Sequence, residues 1–237
     1  REAFEEYKKQ KGLADIYAPD ASDDFSGKRL GLQWQWNANH SDDWYELTGE
    51  KIRLKAVAKQ PDTSIADVPN LLLQKWIAPE FSAVTELSVD SLSEGDLAGM
   101  VSLGVDYGVV ALKRRDGDNV IVSITGTQNF KNEKAYSQDE ITELARLDKA
   151  VKKVFFRNRV EALPMVEKNV TRNKIYLDYS VDGINYTNAA AYEATAGRWV
   201  GVKHGIFCCN EASGENNCSN AGGRGAEFAY FTVEALN

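Results

Sequence analysis

Polar and apolar positions alternate along the chain in short runs, broken every few residues by turn formers. Lys51-Ile52-Arg53-Leu54-Lys55-Ala56-Val57 alternates polar and apolar as far as Ala56, the mark of a strand with one buried and one solvated face. Residues 70–76 and 81–89 predict two more strands. Residues 32–37 put Trp34 and Trp36 on one face and Gln33 and Gln35 on the other; a pair of tryptophans sharing one face of a first strand reads as core. Strands at 99–115 and 120–124 flank Asp116-Gly117-Asp118, and strands at 175–181 and 185–186 flank Asp182-Gly183. Asp-Gly supplies the positive φ that a tight hairpin requires. Residues 199–209 and 226–233 predict two final strands around a loop rich in Gly, Asn and Ser.

Two stretches depart from this pattern. Residues 1–11 are charged and helix-like, and 17–23 read as an extended linker, so the pattern divides a segment at 1–23 from a β domain at 24–237. Ser137-Gln138-Asp139-Glu140 has the form of a capping box, and Ile141, Leu144, Ala145, Leu147 and Val151 fit one helical face. That spacing predicts a helix over 138–152, before a strand-like pattern returns at 151–160. Many short strands with little helix imply an all-β, two-sheet antiparallel sandwich or jelly roll, an architecture that hosts many functions.

Composition narrows the function classes. The chain has 237 residues, 43% of them hydrophobic, enough to build a core. Its net charge of −7 argues against nucleic acid, which needs a basic face; Lys113-Arg114-Arg115 runs straight into Asp116 and Asp118 and reads as a solvated turn. No apolar run is long enough to span a membrane, and the opening Arg1-Glu2-Ala3-Phe4-Glu5 is not a signal peptide. Gly95, Gly99, Gly104, Gly108, Gly201 and Gly205 lack the Gly-Lys-Ser/Thr ending of a phosphate loop. His40 and His204 have no i+4 partner and no nucleophile elbow nearby.

Among the aromatics, Trp44 and Trp76 stand beside turns with polar neighbours and are candidates for stacking on a sugar ring. Trp199 opens a strand two residues before Gly201; it reads as close packing, with sugar stacking as the alternative. Three cysteines leave three readings open: a disulfide from Cys218 to Cys208 or Cys209, free buried thiols, or a metal pair, for which no matching His or second Cys pair follows.

A set of motifs in order then carries a resemblance. Asp24-Phe25-Ser26 with Leu30-Gly31-Leu32-Gln33-Trp34-Gln35-Trp36-Asn37, then Asn70-Leu71-Leu72-Leu73-Gln74-Lys75 and Glu94-Gly95-Asp96-Leu97-Ala98-Gly99-Met100, resemble the C-terminal sandwich of family 43 glycoside hydrolases, the β-xylosidases and α-L-arabinofuranosidases. Tyr179-Ser180-Val181-Asp182-Gly183, the strand from Trp199 through Gly201 and Gly205 to Phe207, and Ala226-Glu227-Phe228-Ala229-Tyr230-Phe231 continue it.

The resemblance implies a concanavalin-A-like sandwich, non-catalytic, packed against a β-propeller glycosidase domain that holds the catalytic carboxylates. It implies a plant polysaccharide or oligosaccharide of the hemicellulose class as the parent enzyme's substrate, and a periplasmic or extracellular setting. It also implies a structural calcium near the chain ends, with Asp24 as a ligand and Glu227 standing where the family has Asp; Ala229, in place of a second Asp, weakens that site. An independent carbohydrate-binding module is the alternative reading. A glycosidase in its own right is a lesser one, since no Glu-x-Asp-x-x-Glu run is present.

Overall fold

The computed structural model describes residues 20–60, 63–128, 139–164, 172–195, 201–211 and 225–236. Their strands are β1 (Gln35–Trp36), β2 (Tyr45–Leu47), β3 (Ile52–Lys55), β4 (Val57–Ala58), β5 (Leu72–Lys75), β6 (Phe81–Ser88), β7 (Asp96–Leu103) and β8 (Asp106–Arg115), followed by β9 (Asp118–Thr127), β10 (Glu140–Arg146), β11 (Lys153–Leu163), β12 (Arg172–Ser180), β13 (Thr187–Ala194), β14 (Lys203–Asn210) and β15 (Gly225–Ala235). One sheet runs β1-β5-β14-β7-β8-β9-β10 and the other β13-β12-β11-β6-β15-β3-β2. All pairings are antiparallel except the short β4, which lies parallel to the end of β14. The two sheets make the predicted sandwich.

The hairpins follow their local chemistry. Asp116 (φ 54°) and Gly117 (φ 79°) make a two-residue turn with positive φ at both centres, joining β8 to β9. The 99–115 run proves to be two strands, β7 and β8, folded at Gly104 and Val105. Between β12 and β13, Asp182 accepts hydrogen bonds from the Ile184 and Asn185 backbone amides (both 2.8 Å) and the Asn185 side chain (2.8 Å). Those donors hold its carboxyl far below the ordinary carboxylate range. Gly205 is required by packing: a Cβ there would lie 1.9 Å from the Leu72 carbonyl oxygen on β5.

The predicted helix at 138–152 is a correction. Residues 140–146 form β10, an edge strand paired with β9, and Gln138 lies outside the described residues. A register shift between Glu143 and Ala145 inserts one extra residue. It turns Ala145 and Leu147 toward the core, while Ile141 (49% exposed) and Leu144 (36%) stay outside. A bulged strand thus reproduces helical spacing without a helix.

Burial differs between the sheets. In β6 the pattern alternates, with Phe81, Ala83, Thr85 and Leu87 buried. Every residue of β7 is buried, because its sheet is covered on both faces. Between the sheets lie Leu54, Phe81, Met100, Leu112, Phe156, Ile206, Phe228 and their neighbours. On the outer face a second cluster, with Val101, Tyr107, Val109, Val122 and Phe207, packs under Ile65, Ala66 and Val68 of a 3₁₀ turn. Strands buried on both faces read as continuous apolar runs, as β8 and β9 do.

Cys208 and Cys209 are free, fully buried thiols. As neighbours on a strand they point to opposite faces, Cys208 into the inter-sheet core and Cys209 into the outer cluster. Of the readings left open for the cysteines, free buried thiols hold for these two; Cys218 lies outside the described residues.

Candidate functional site

A concavity lies where the chain enters the sandwich. Asp23 forms an isolated bridge with Phe231 on β15, which brings residues 20–33 alongside the last strand. The resulting cleft, about 820 Å³, is walled by Asp20, Asp23, Asp24, Arg29, Gln33 and Tyr230 among others. A second groove of about 490 Å³ shares Ala21, Leu32 and Gln33 with it and adds Trp34, Gln35, Gln74, Lys75, Trp76 and Ile77. Leu32 is 85% exposed at the rim of both. Apolar side chains beside amides and carboxylates suit a partner with mixed polar and apolar surface.

The two entry carboxylates are taken up locally. Asp23 accepts from the Phe25 amide (2.8 Å) and from Trp34 Nε1 (2.8 Å), pinning the tryptophan. Trp34 stacks on Phe25 and meets Phe231 edge-on. Asp24 accepts from the Ser26 amide (3.0 Å) and hydroxyl (2.7 Å), which hold its carboxyl below the ordinary range.

Calcium requires six to eight oxygens converging on one point. Glu227, expected to help, is held by Arg53 Nε at 3.2 Å and Lys51 Nζ at 3.4 Å, and its carboxyl is lowered chiefly by the Arg53 hydrogen bond. A carboxylate between two cations has no call for a third. Among the described residues no three acidic, histidine or cysteine side chains gather as a metal site. In this structure Glu227 is taken up by Arg53 and Lys51, and Asp24 by Ser26.

The tryptophans divide. Trp76 lines the groove, half-buried, with its ring edge-on to Phe81. Trp44 is also half-buried, packed edge-on against Trp36, and does not line it. Trp199 lies outside the described residues. On the outer face of the second sheet Arg157 and Arg159 lie over the rings of Tyr186 and Tyr176 at 4.0 and 4.1 Å. Those ring faces are already occupied by guanidinium groups.

A polar cluster absent from the sequence reading sits under the outer face of the first sheet. Asp139 accepts from the Ser64 hydroxyl (2.8 Å), the Tyr107 hydroxyl (2.7 Å) and the Ile65 amide (3.0 Å), with Lys59 Nζ at 3.7 Å. Tyr107 is pushed above the ordinary phenol range, mainly by burial. The signal available in sequence was slight: an acid that looked like part of a helix cap instead fastens the 3₁₀ turn at 65–67 across β8.

The chain matches the family of β-xylosidase C-terminal concanavalin A-like domains over residues 22–234. It is 28% identical over 188 residues to a candidate β-xylosidase of Xylanibacter ruminicola, covering 78% of this chain and 30% of that protein. It is 25% identical over 232 residues to a β-xylosidase of Formosa agariphila, covering 89% of this chain and 36% of that one. The chain thus spans about a third of the length of these curated relatives. Among solved structures, an engineered family 43 glycoside hydrolase described as both endo-xylanase and exo-arabinofuranosidase superposes with a TM-score of 0.78 at 20% identity, over 94% of this chain and 42% of that one; this likeness is one of fold. The motifs, the sandwich and the match across almost its whole extent agree: this chain belongs to the family of β-xylosidase C-terminal concanavalin A-like domains.

Proposed function

We propose that this sandwich is the non-catalytic accessory domain of a family 43 glycoside hydrolase acting on xylan or arabinoxylan, and that it packs against and supports a β-propeller catalytic domain. The observation that carries the reading is the family match over residues 22–234 combined with relatives about three times as long. The entry cleft, with exposed Leu32 and Ile77 on its adjoining groove, is the surface offered to that partner. The test is to delete this domain from the full-length enzyme, and separately to install Leu32→Asp with Ile77→Asp. Both changes lower the enzyme's melting temperature and specific activity; an enzyme indifferent to both would refute the role.

A second reading, an independent carbohydrate-binding module, draws on the groove that sets Trp76 among the amides of Gln33, Gln35 and Gln74. Affinity electrophoresis in xylan, arabinoxylan and arabinan gels separates the two. Retardation abolished by Trp76→Ala makes the groove a sugar site; unretarded migration in all three leaves support as the role.

A further inference from the structure

One level of the sandwich interior is polar. On the first sheet, Gln74, His204 and Ser102 are neighbours across β5, β14 and β7, through the pairings Gln74↔His204 and His204↔Ser102. All three are buried. Each lies on the inward side of its strand, two residues from Leu72, Ile206 and Met100 of the inter-sheet core. On the facing sheet, Asn158 of β11 is buried between the core residues Phe156 and Val160. Its partner across β6 is Ala83.

The two rows meet. The His204 ring contacts Phe81 at 4.8 Å and Phe231 at 5.3 Å, residues that flank Ala83 on β6 and on neighbouring β15. β11 packs over β7, which carries Ser102.

Five polar atoms of these three side chains are buried without a hydrogen-bond partner: Ser102 Oγ, Asn158 Nδ2 and Oδ1, and His204 Nδ1 and Nε2. Burial holds the His204 ring neutral at ordinary pH, so it offers one donor and one acceptor. Leaving five such atoms unbonded would cost free energy comparable to the whole stability of a domain. A small ligand that both donates and accepts resolves this, and water is the only one with ready access to a closed protein interior.

We propose that the core of the sandwich contains a built hydration site, a cluster of ordered water molecules held jointly by Ser102, Asn158 and His204 and bridging the two sheets. The cluster ties β7 and β14 to β11 through hydrogen bonds where the rest of the core has only apolar contact. It is independent of the parent enzyme and of any sugar.

The chain has two histidines, so His40→Gln leaves His204 as its sole imidazole. His40 is exposed, pairs with Asp42 and stacks on Trp36. In this variant, labelled with ¹⁵N, water-selective nuclear Overhauser spectra are expected to show long-lived cross-peaks from water to the Asn158 amide protons and the His204 ring N–H. Ser102→Ala should weaken them, and Asn158→Leu should abolish the His204–water peak while the amide fingerprint of the fold persists. If Asn158→Leu does not fold, the loss of slow-water ¹⁷O relaxation dispersion in Ser102→Ala serves instead. Cross-peaks linking the Asn158 amide directly to the His204 ring, with none to water, would overturn the proposal. So would unchanged ¹⁷O dispersion in Ser102→Ala.

Discussion

Asp139→Ala removes the acceptor at the centre of the outer polar cluster. Its carboxylate holds three donors, Ser64, Tyr107 and the Ile65 amide, and its side chain is only 7% exposed. Removing it leaves the Tyr107 hydroxyl with Ser64 alone among these partners and the Ile65 amide without its acceptor. Among the described residues the Lys59 ammonium, on a side chain 6% exposed, then keeps Glu211 at 3.7 Å, which Lys113 also engages. Hydrogen bonds to a charged group are each worth about 1.5–3 kcal/mol, and breaking a buried ion pair from one side costs about 3–5 kcal/mol. These overlap, since the same carboxylate supplies both, so about 3–5 kcal/mol is the expected total. For a chain of this size each kcal/mol moves the melting temperature by roughly 2–4 °C. Circular dichroism melts of the chain should therefore fall by about 10 °C. Tyr107→Phe, which removes one donor and keeps the carboxylate, should cost about 1–2 kcal/mol. An Asp139→Ala melt within about 3 °C of the native chain would refute the claim that this carboxylate fastens the 3₁₀ turn to the sheet.

Gly205→Ala drives a methyl group into the Leu72 carbonyl and should destabilise by more than about 4 kcal/mol, read as loss of soluble protein or of a cooperative melt. Burial takes His204 from 6.5 to about 3. Between those values the unfolded chain binds a proton that the folded chain excludes, so stability falls as pH falls, by about 1.4 kcal/mol per pH unit. The stability difference between native chain and His204→Phe should narrow or reverse on acidification from pH 7 to pH 4 in urea titrations; a difference independent of pH would contradict a neutral buried ring. Cys208 and Cys209, with thiol affinities raised chiefly by burial, should react with an aromatic disulfide reagent only at the rate of global unfolding, measured in a Cys218→Ser background.

Much of the architecture was legible. Alternation at 51–57 gave β3, the strand pattern at 81–89 gave β6, and the two Asp-Gly pairs marked the β8–β9 and β12–β13 connections. The ordered motifs gave the family. Less of the site was legible. Trp44 and Trp76 had similar surroundings in sequence, yet only Trp76 lines the groove, because β5 carries it to the entry surface while Trp44 folds onto Trp36. Glu227 looked like a metal ligand until β3 set Arg53 directly opposite it.

The sequence by itself determined the all-β class, the tight hairpins and the family, because each depends on local constraints: side-chain periodicity along a strand and backbone dihedrals open to Gly and Asp. Tertiary structure decided the rest. β10 is a strand because β9 offers an unpaired edge, and its bulge makes the apolar spacing look helical. Asp139 serves as an anchor, not a helix cap, because Ser64, Ile65 and Tyr107 converge on it from distant strands and turns. Ser102, Asn158 and His204 form one polar layer because three strands far apart in sequence bring them to the same level of the core. Such placements depend on which residues face one another across and between sheets, which no local pattern encodes.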